Sequence, residues 1–111
     1  MTKSELSELL HSIPNLQVNE GITALNKSNY TPRVVYWDYI WEDVSASGET
    51  YAEQDTYQLS FFSKIPRDPA LIALRNKLRE QGLRPTIYHE YIEEKQTFHS
   101  YFNLEVINDV E

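Results

Sequence analysis

Apolar positions near the start of the chain recur at helical spacing. Leu6, Leu9, Leu10 and Ile13 follow Thr2-Lys3-Ser4-Glu5, which fits a capping box. Together they predict a short amphipathic helix over about residues 3 to 12, ending near Pro14. The pattern then becomes mixed. Leu16 and Val18 alternate with polar neighbours as a short strand does, and Asn26 to Pro32 reads as a loop. Arg33 to Trp41 is nearly all β-branched or aromatic, which predicts a strand apolar on both faces. Such a strand is either central or turns its outer face to another molecule. Residues 42 to 55 are acidic, rich in small residues and free of Lys and Arg, and predict a solvated loop. A functional version of that loop orders on contact with a partner or projects into the bore of a ring.

Thr56 to Ser63 resumes the strand pattern, with Tyr57, Leu59 and Phe61 on one face because side chains alternate. Pro66 stops that strand, Asp68 is placed to cap a helix, and Pro69 takes the first helical position. Leu71, Leu74 and Leu78 give the buried stripe of a helix over Ala70 to Gln81, and Gly82 is its left-handed stop. Lys77 and Arg79 near its end complement the helix dipole. Beyond Pro85, two strands are predicted, about Thr86 to Glu93 and Gln96 to Ile107, joined by a turn over Glu93 to Gln96. Phe98, Ser100, Phe102, Leu104 and Val106 share one face of the last strand; Thr97, His99, Tyr101, Asn103 and Glu105 share the other. The order implies an α+β domain: a mainly antiparallel sheet of about four strands, with two helices packed on one face.

The 111 residues make a single domain, 1–111. Folding at this size hides roughly 65% of the unfolded surface, enough for stability without disulfides or metals. There is no cysteine, hence neither a disulfide framework nor a thiolate site. A net charge of −7 argues against nucleic acid or anionic lipid as the main partner, since both call for a surplus of Lys and Arg. No apolar stretch approaches the roughly 20 residues of a membrane span. Acidic residues also interrupt any signal-like segment at the start, so a soluble intracellular protein is expected.

Candidate chemistry is sparse. If the last turn centres between Glu94 and Lys95, His99 lies opposite Glu90 and His89 opposite Ser100. That is an acid/base or weak metal arrangement at best, and a cross-strand polar pair in its bland form. His11 falls late in the first helix without ligand spacing around it. The serines sit in no nucleophile motif, and Gly21, Gly48 and Gly82 are too far apart to cradle phosphate. No catalytic, cofactor-binding or metal residue is therefore expected. Aromatics are the more telling group: eight Tyr, four Phe and two Trp. Tyr36, Trp37, Tyr39 and Trp41, with Tyr57 and Tyr101, are candidate interface residues, because Trp and Tyr dominate protein–protein hot spots. Asp38, Glu42 and Asp43 beside them disfavour a base-stacking role.

The order of elements and several phrases resemble the tail-terminator or tail-completion proteins of siphophages and prophages. These phrases are Ser12-Ile13-Pro14, Val34-Val35-Tyr36, Glu53 through Phe62, Ser63-Lys64-Ile65-Pro66-Arg67-Asp68, Gly82-Leu83-Arg84-Pro85, His89-Glu90-Tyr91-Ile92 and Phe98-His99-Ser100-Tyr101-Phe102. The resemblance spans nearly the whole chain. It implies a non-enzymatic structural protein without cofactor, forming a ring, typically of six subunits, on the end of the tail tube. The ring stops tube growth and joins the tail to the head connector. Its implied partners are other copies of itself, the major tail tube protein and a head-connector protein; its implied places are the virion tail and the host cytoplasm during assembly. Two other classes stand beside it: an intracellular adaptor or inhibitor gripping one protein through its aromatic sheet face, and a small hydrolase or metal-dependent enzyme built on His89, Glu90 and His99.

Overall fold

The structure, a computed structural model, describes residues 1–21, 31–46 and 49–109. Its elements in chain order are α1 (Lys3–His11), β1 (Gln17–Glu20), β2 (Arg33–Ala46), β3 (Glu49–Ser63), α2 (Pro69–Glu80), β4 (Tyr88–Ile92) and β5 (Thr97–Asp109), with a 3-10 turn at Glu93–Lys95 before β5. One five-stranded sheet runs in the order β1-β2-β3-β5-β4. The α+β class agrees with expectation. The sheet, however, has one more strand than expected and is mixed, because β1 pairs with β2 in parallel. A parallel neighbour needs a crossover of about a dozen residues, and β1 and β2 are far enough apart in sequence to allow one. Most of the loop expected at Asn26 to Pro32 falls outside the described residues.

Both helices begin and end as their sequences direct. The Thr2 hydroxyl accepts a bond from the Glu5 amide at 3.2 Å, and its own hydrogen goes to Glu5 Oε1 at 3.1 Å. The Asp68 carboxylate accepts from the Ala70 amide at 2.9 Å, one residue before Pro69 opens α2. At the other end of α2 the amides of Gly82 and Leu83 bond back to the carbonyls of Arg79 and Leu78, each at 2.9 Å. This paired closure requires a left-handed residue, and Gly82 has φ +78°. Leu6 and Leu10 of α1, and Leu71, Leu74 and Leu78 of α2, pack on Val34, Leu59, Phe61, Phe102 and Val106 of the sheet. Lys64 then ties the β3–α2 connection to the last turn, donating to the Lys95 carbonyl at 3.0 Å and the Thr97 hydroxyl at 3.2 Å.

The acidic segment is not a loop. β2 continues to Ala46 and β3 starts at Glu49, so Glu42 pairs with Gln54, Asp43 with Glu53 and Val44 with Ala52. Its order comes from a third strand: Ala52 to Val106-facing Asp55 are also laddered to β5, from Asp109 back to Val106. Ala52 and Val106 are buried there, and the Ile107 amide bonds to the Met1 carbonyl at 3.1 Å. Strand pairing of this kind overrides weak local propensity. The result is an elongated molecule, 51 × 30 × 22 Å along its principal axes.

A candidate interface on the open sheet face

Alternation assigns the two faces of the sheet. Val34, Tyr36, Tyr57, Leu59, Phe61, Phe102 and Leu104 point to the helices and form the core. Tyr36 and Tyr57, expected at an interface, are instead only 3% and 1% exposed, so they are corrected to core residues. Their rings pack on each other at 5.9 Å. Burial pushes the Tyr57 hydroxyl well above the usual phenol range, with the charges of Asp38 and Asp55 adding to the effect.

Neither α1 nor α2 covers the opposite face, and its side chains line up in rows across the strands. One row is Arg33, Phe62, His99 and Glu90, taken from β2, β3, β5 and β4. The Arg33 guanidinium carbon sits 4.2 Å from the Phe62 ring centre, and Phe62 stacks on His99 at 4.7 Å with planes 8° apart. His99 Nδ1 then lies 2.8 Å from Glu90 Oε1, so the ring donates to the carboxylate. The row thus runs from a cation through two stacked rings to an anion. Desolvation lowers the Arg33 pKa from its ordinary value.

The next row is Val35, Ser60, Tyr101 and Tyr88. Tyr101 stacks on Tyr88 at 5.6 Å and on His99 at 5.0 Å, which joins the two rows into one aromatic surface. Trp37, in the row beyond, contacts Tyr39 at 5.9 Å. Trp37 is 47% exposed, Tyr39 40% and Tyr88 57%. Of the expected interface residues, the structure therefore brings Trp37 and Tyr101 to the open face, with Tyr39 touching Trp37.

Trp41 departs from this group for a specific reason. The register shifts between Asp38 and Ile40, which pair with Tyr57 and Thr56 in turn, leaving Tyr39 as an extra residue. A bulge of this kind reverses the facing of everything after it. Trp41 consequently moves to the helix side of the sheet, beyond the end of the helices. It remains highly exposed there and donates from Nε1 to Asp38 Oδ2 at 2.7 Å.

Sequence reasoning passed over Phe62, Arg33 and Tyr88. The signal for Phe62 was present in the period-two pattern, since it lies between the inward residues Phe61 and Ser63. The proposed register of the last hairpin is the one observed: His99 opposite Glu90 and His89 opposite Ser100. It also separates the three residues of the enzyme alternative. Glu90 and His99 meet on the open face, whereas His89 points to the other face and its Nδ1 is 2.7 Å from the Ser100 hydroxyl. Among the described residues, no group of three His, Cys, Asp or Glu is arranged to hold a metal ion, and no helix is long and apolar enough to cross a membrane. Compared with models of protein families and with curated proteins, the chain matches none.

Proposed function

We propose that this chain is a non-enzymatic structural protein of a phage or prophage tail, a ring-forming terminator or completion protein. In this reading copies of the chain close into a ring on the end of the tail tube, and the ring meets the head connector on its other side. The observation that carries the assembly part of the reading is the open sheet face. Both helices of the described residues lie on one side of the sheet, and the other side presents Trp37, Tyr39, Ile40 and Tyr88 beside a preorganised stack of rings. Exposed aromatic surface of this extent is what protein–protein contacts bury. The short outer strands β1 and β4 leave two different sheet edges as well, and a ring needs two unlike sticky surfaces on each subunit. The tail assignment itself rests on the sequence resemblance.

Two measurements test the reading. Light scattering across concentration should give oligomers larger than a dimer, and Trp37→Ala/Tyr88→Ala should weaken them by roughly tenfold or more while the melting temperature changes little. A monomer at every concentration sinks self-assembly and favours an adaptor. Added to growing tubes of the matching tail tube protein, the chain should shorten them; an unchanged distribution of tube lengths would contradict a terminator.

A further inference from the structure

On the helix side of the molecule a groove of about 230 Å³ runs between α2 and the segment 85–89 that leads into β4. Leu71, Ile72 and Ile87 make it partly apolar, and Arg67, Arg75 and Arg79 line it. It continues into a smaller groove, about 160 Å³, where Arg84 joins Arg75 and Arg79. Four of the chain's five arginines thus share one depression, in a protein whose net charge is −7, and among the described residues no Asp or Glu lines it. Arg75 Nε is shielded from solvent and has no hydrogen-bond partner. A shielded donor without an acceptor is unfavourable, and so is a cluster of like charges; an anionic group in the groove relieves both.

The same chain carries a fitting anion on its β2–β3 hairpin. β5 runs from Thr97, beside β4, to Asp109, beside Ala52 of the β2–β3 hairpin. The hairpin has no Lys or Arg between Glu42 and Asp55. Glu42 and Asp43 are exposed, and Asp43 lies directly opposite Glu53. Like charges across a ladder destabilise it. The strain is visible at Glu53, whose carboxyl is raised above its ordinary range, first by a hydrogen bond with Asp55 and then by desolvation and the carboxylates around it. Hairpin and groove are each incomplete in charge, and each supplies what the other lacks.

We propose that the arginine groove receives the acidic β2–β3 hairpin of a second copy of this chain. The inference rests on the self-assembly reading above and names the surfaces that touch. Because groove and hairpin are two different surfaces of one molecule, the contact is heterologous and repeats head to tail, as ring closure requires. A nucleic-acid backbone would match the arginines, but it gains nothing from the leucine and isoleucines and is repelled by the rest of the surface. A hairpin brings Val44 along with its carboxylates.

The test uses full-length variants changed at exposed positions, Arg79→Glu/Arg84→Glu in the groove and Glu42→Lys/Asp43→Lys in the hairpin, followed by sedimentation velocity over a wide concentration range. Each variant alone should associate at least about tenfold more weakly than the unaltered chain, and their equimolar mixture should regain association, since every contact in it is charge-matched again. Circular dichroism checks folding; should the first pair fail to fold, Arg79→Gln/Arg84→Gln replaces it. If the unaltered chain assembles and the variants assemble equally well, or the mixture regains nothing, the docking is wrong and self-assembly stands. An unaltered chain that never assembles overturns both. Binding of duplex DNA that the groove variant loses, with assembly intact, overturns the docking by giving the groove to phosphate.

Discussion

Phe62 meets a guanidinium on one side and an imidazole on the other, and each contact has a separate physical basis. Arg33 is drawn to the ring's negative face, a contact of about 1–2 kcal/mol for a guanidinium largely shielded from water. His99 lies flat on it at 4.7 Å, an arrangement worth about 0.5–1.5 kcal/mol. A double-mutant cycle of Phe62→Ala with His99→Ala, read by urea unfolding, should therefore give a coupling of roughly 1 kcal/mol. A coupling near zero would mean that the stack is geometry without energy. Gly82 is a different kind of position. A methyl group there meets nothing within 4 Å, so space is not the obstacle to Gly82→Ala. The backbone is, because φ +78° costs an L-residue about 1 kcal/mol or more. Melting should fall by about 4 °C.

Among the elements, the β2–β3 hairpin has the most to gain from acid. Glu53 holds its proton more tightly in the folded chain than in the unfolded one, because its carboxyl is raised. Its contribution to stability is therefore present at low pH and is lost as pH rises through that raised value. Amide exchange over Ala52 to Gln54, corrected for intrinsic rates, should show more protection near pH 5 than near pH 7, and Glu53→Gln should flatten the difference. An equal or opposite trend would count against a crowded acidic ladder. The same hairpin marks where the sequence was legible and where it was not. Local signals located both helices, their caps, the Gly82 stop and the register of the β4–β5 hairpin, because each rests on neighbouring residues. The acidic stretch read as a loop because its order depends on β5, whose pairing residues lie far downstream. β1 read correctly as a short strand, but its parallel partner is a matter of topology. Of the aromatic residues grouped as interface candidates, Trp37 and Tyr101 stand on the open face. Trp41 does not, since one extra residue at Tyr39 inverts the pattern and nothing in the composition announces it.

At the scale of the whole molecule, charge and shape act together. A body 51 Å long with a net charge of −7 carries four of its five arginines in one groove. If that groove is filled by a neighbour's hairpin, the assembled ring presents mostly acidic surface, and DNA passes its bore without adhering. Fluorescence anisotropy with duplex DNA at physiological salt should accordingly detect no tight binding by the assembled protein; tight, salt-sensitive binding would contradict the picture. The position of β3 has a separate consequence for how the protein is made. Its Ala52–Ser63 edge faces β5, which follows every other element along the chain. While the ribosome is still translating residues 97 to 109, that edge is a bare template for any extended peptide nearby. The nascent polypeptide is thus at its most adhesive until β5 emerges. Chaperone capture should peak in stalled chains that stop short of Thr97 and drop in those that include β5.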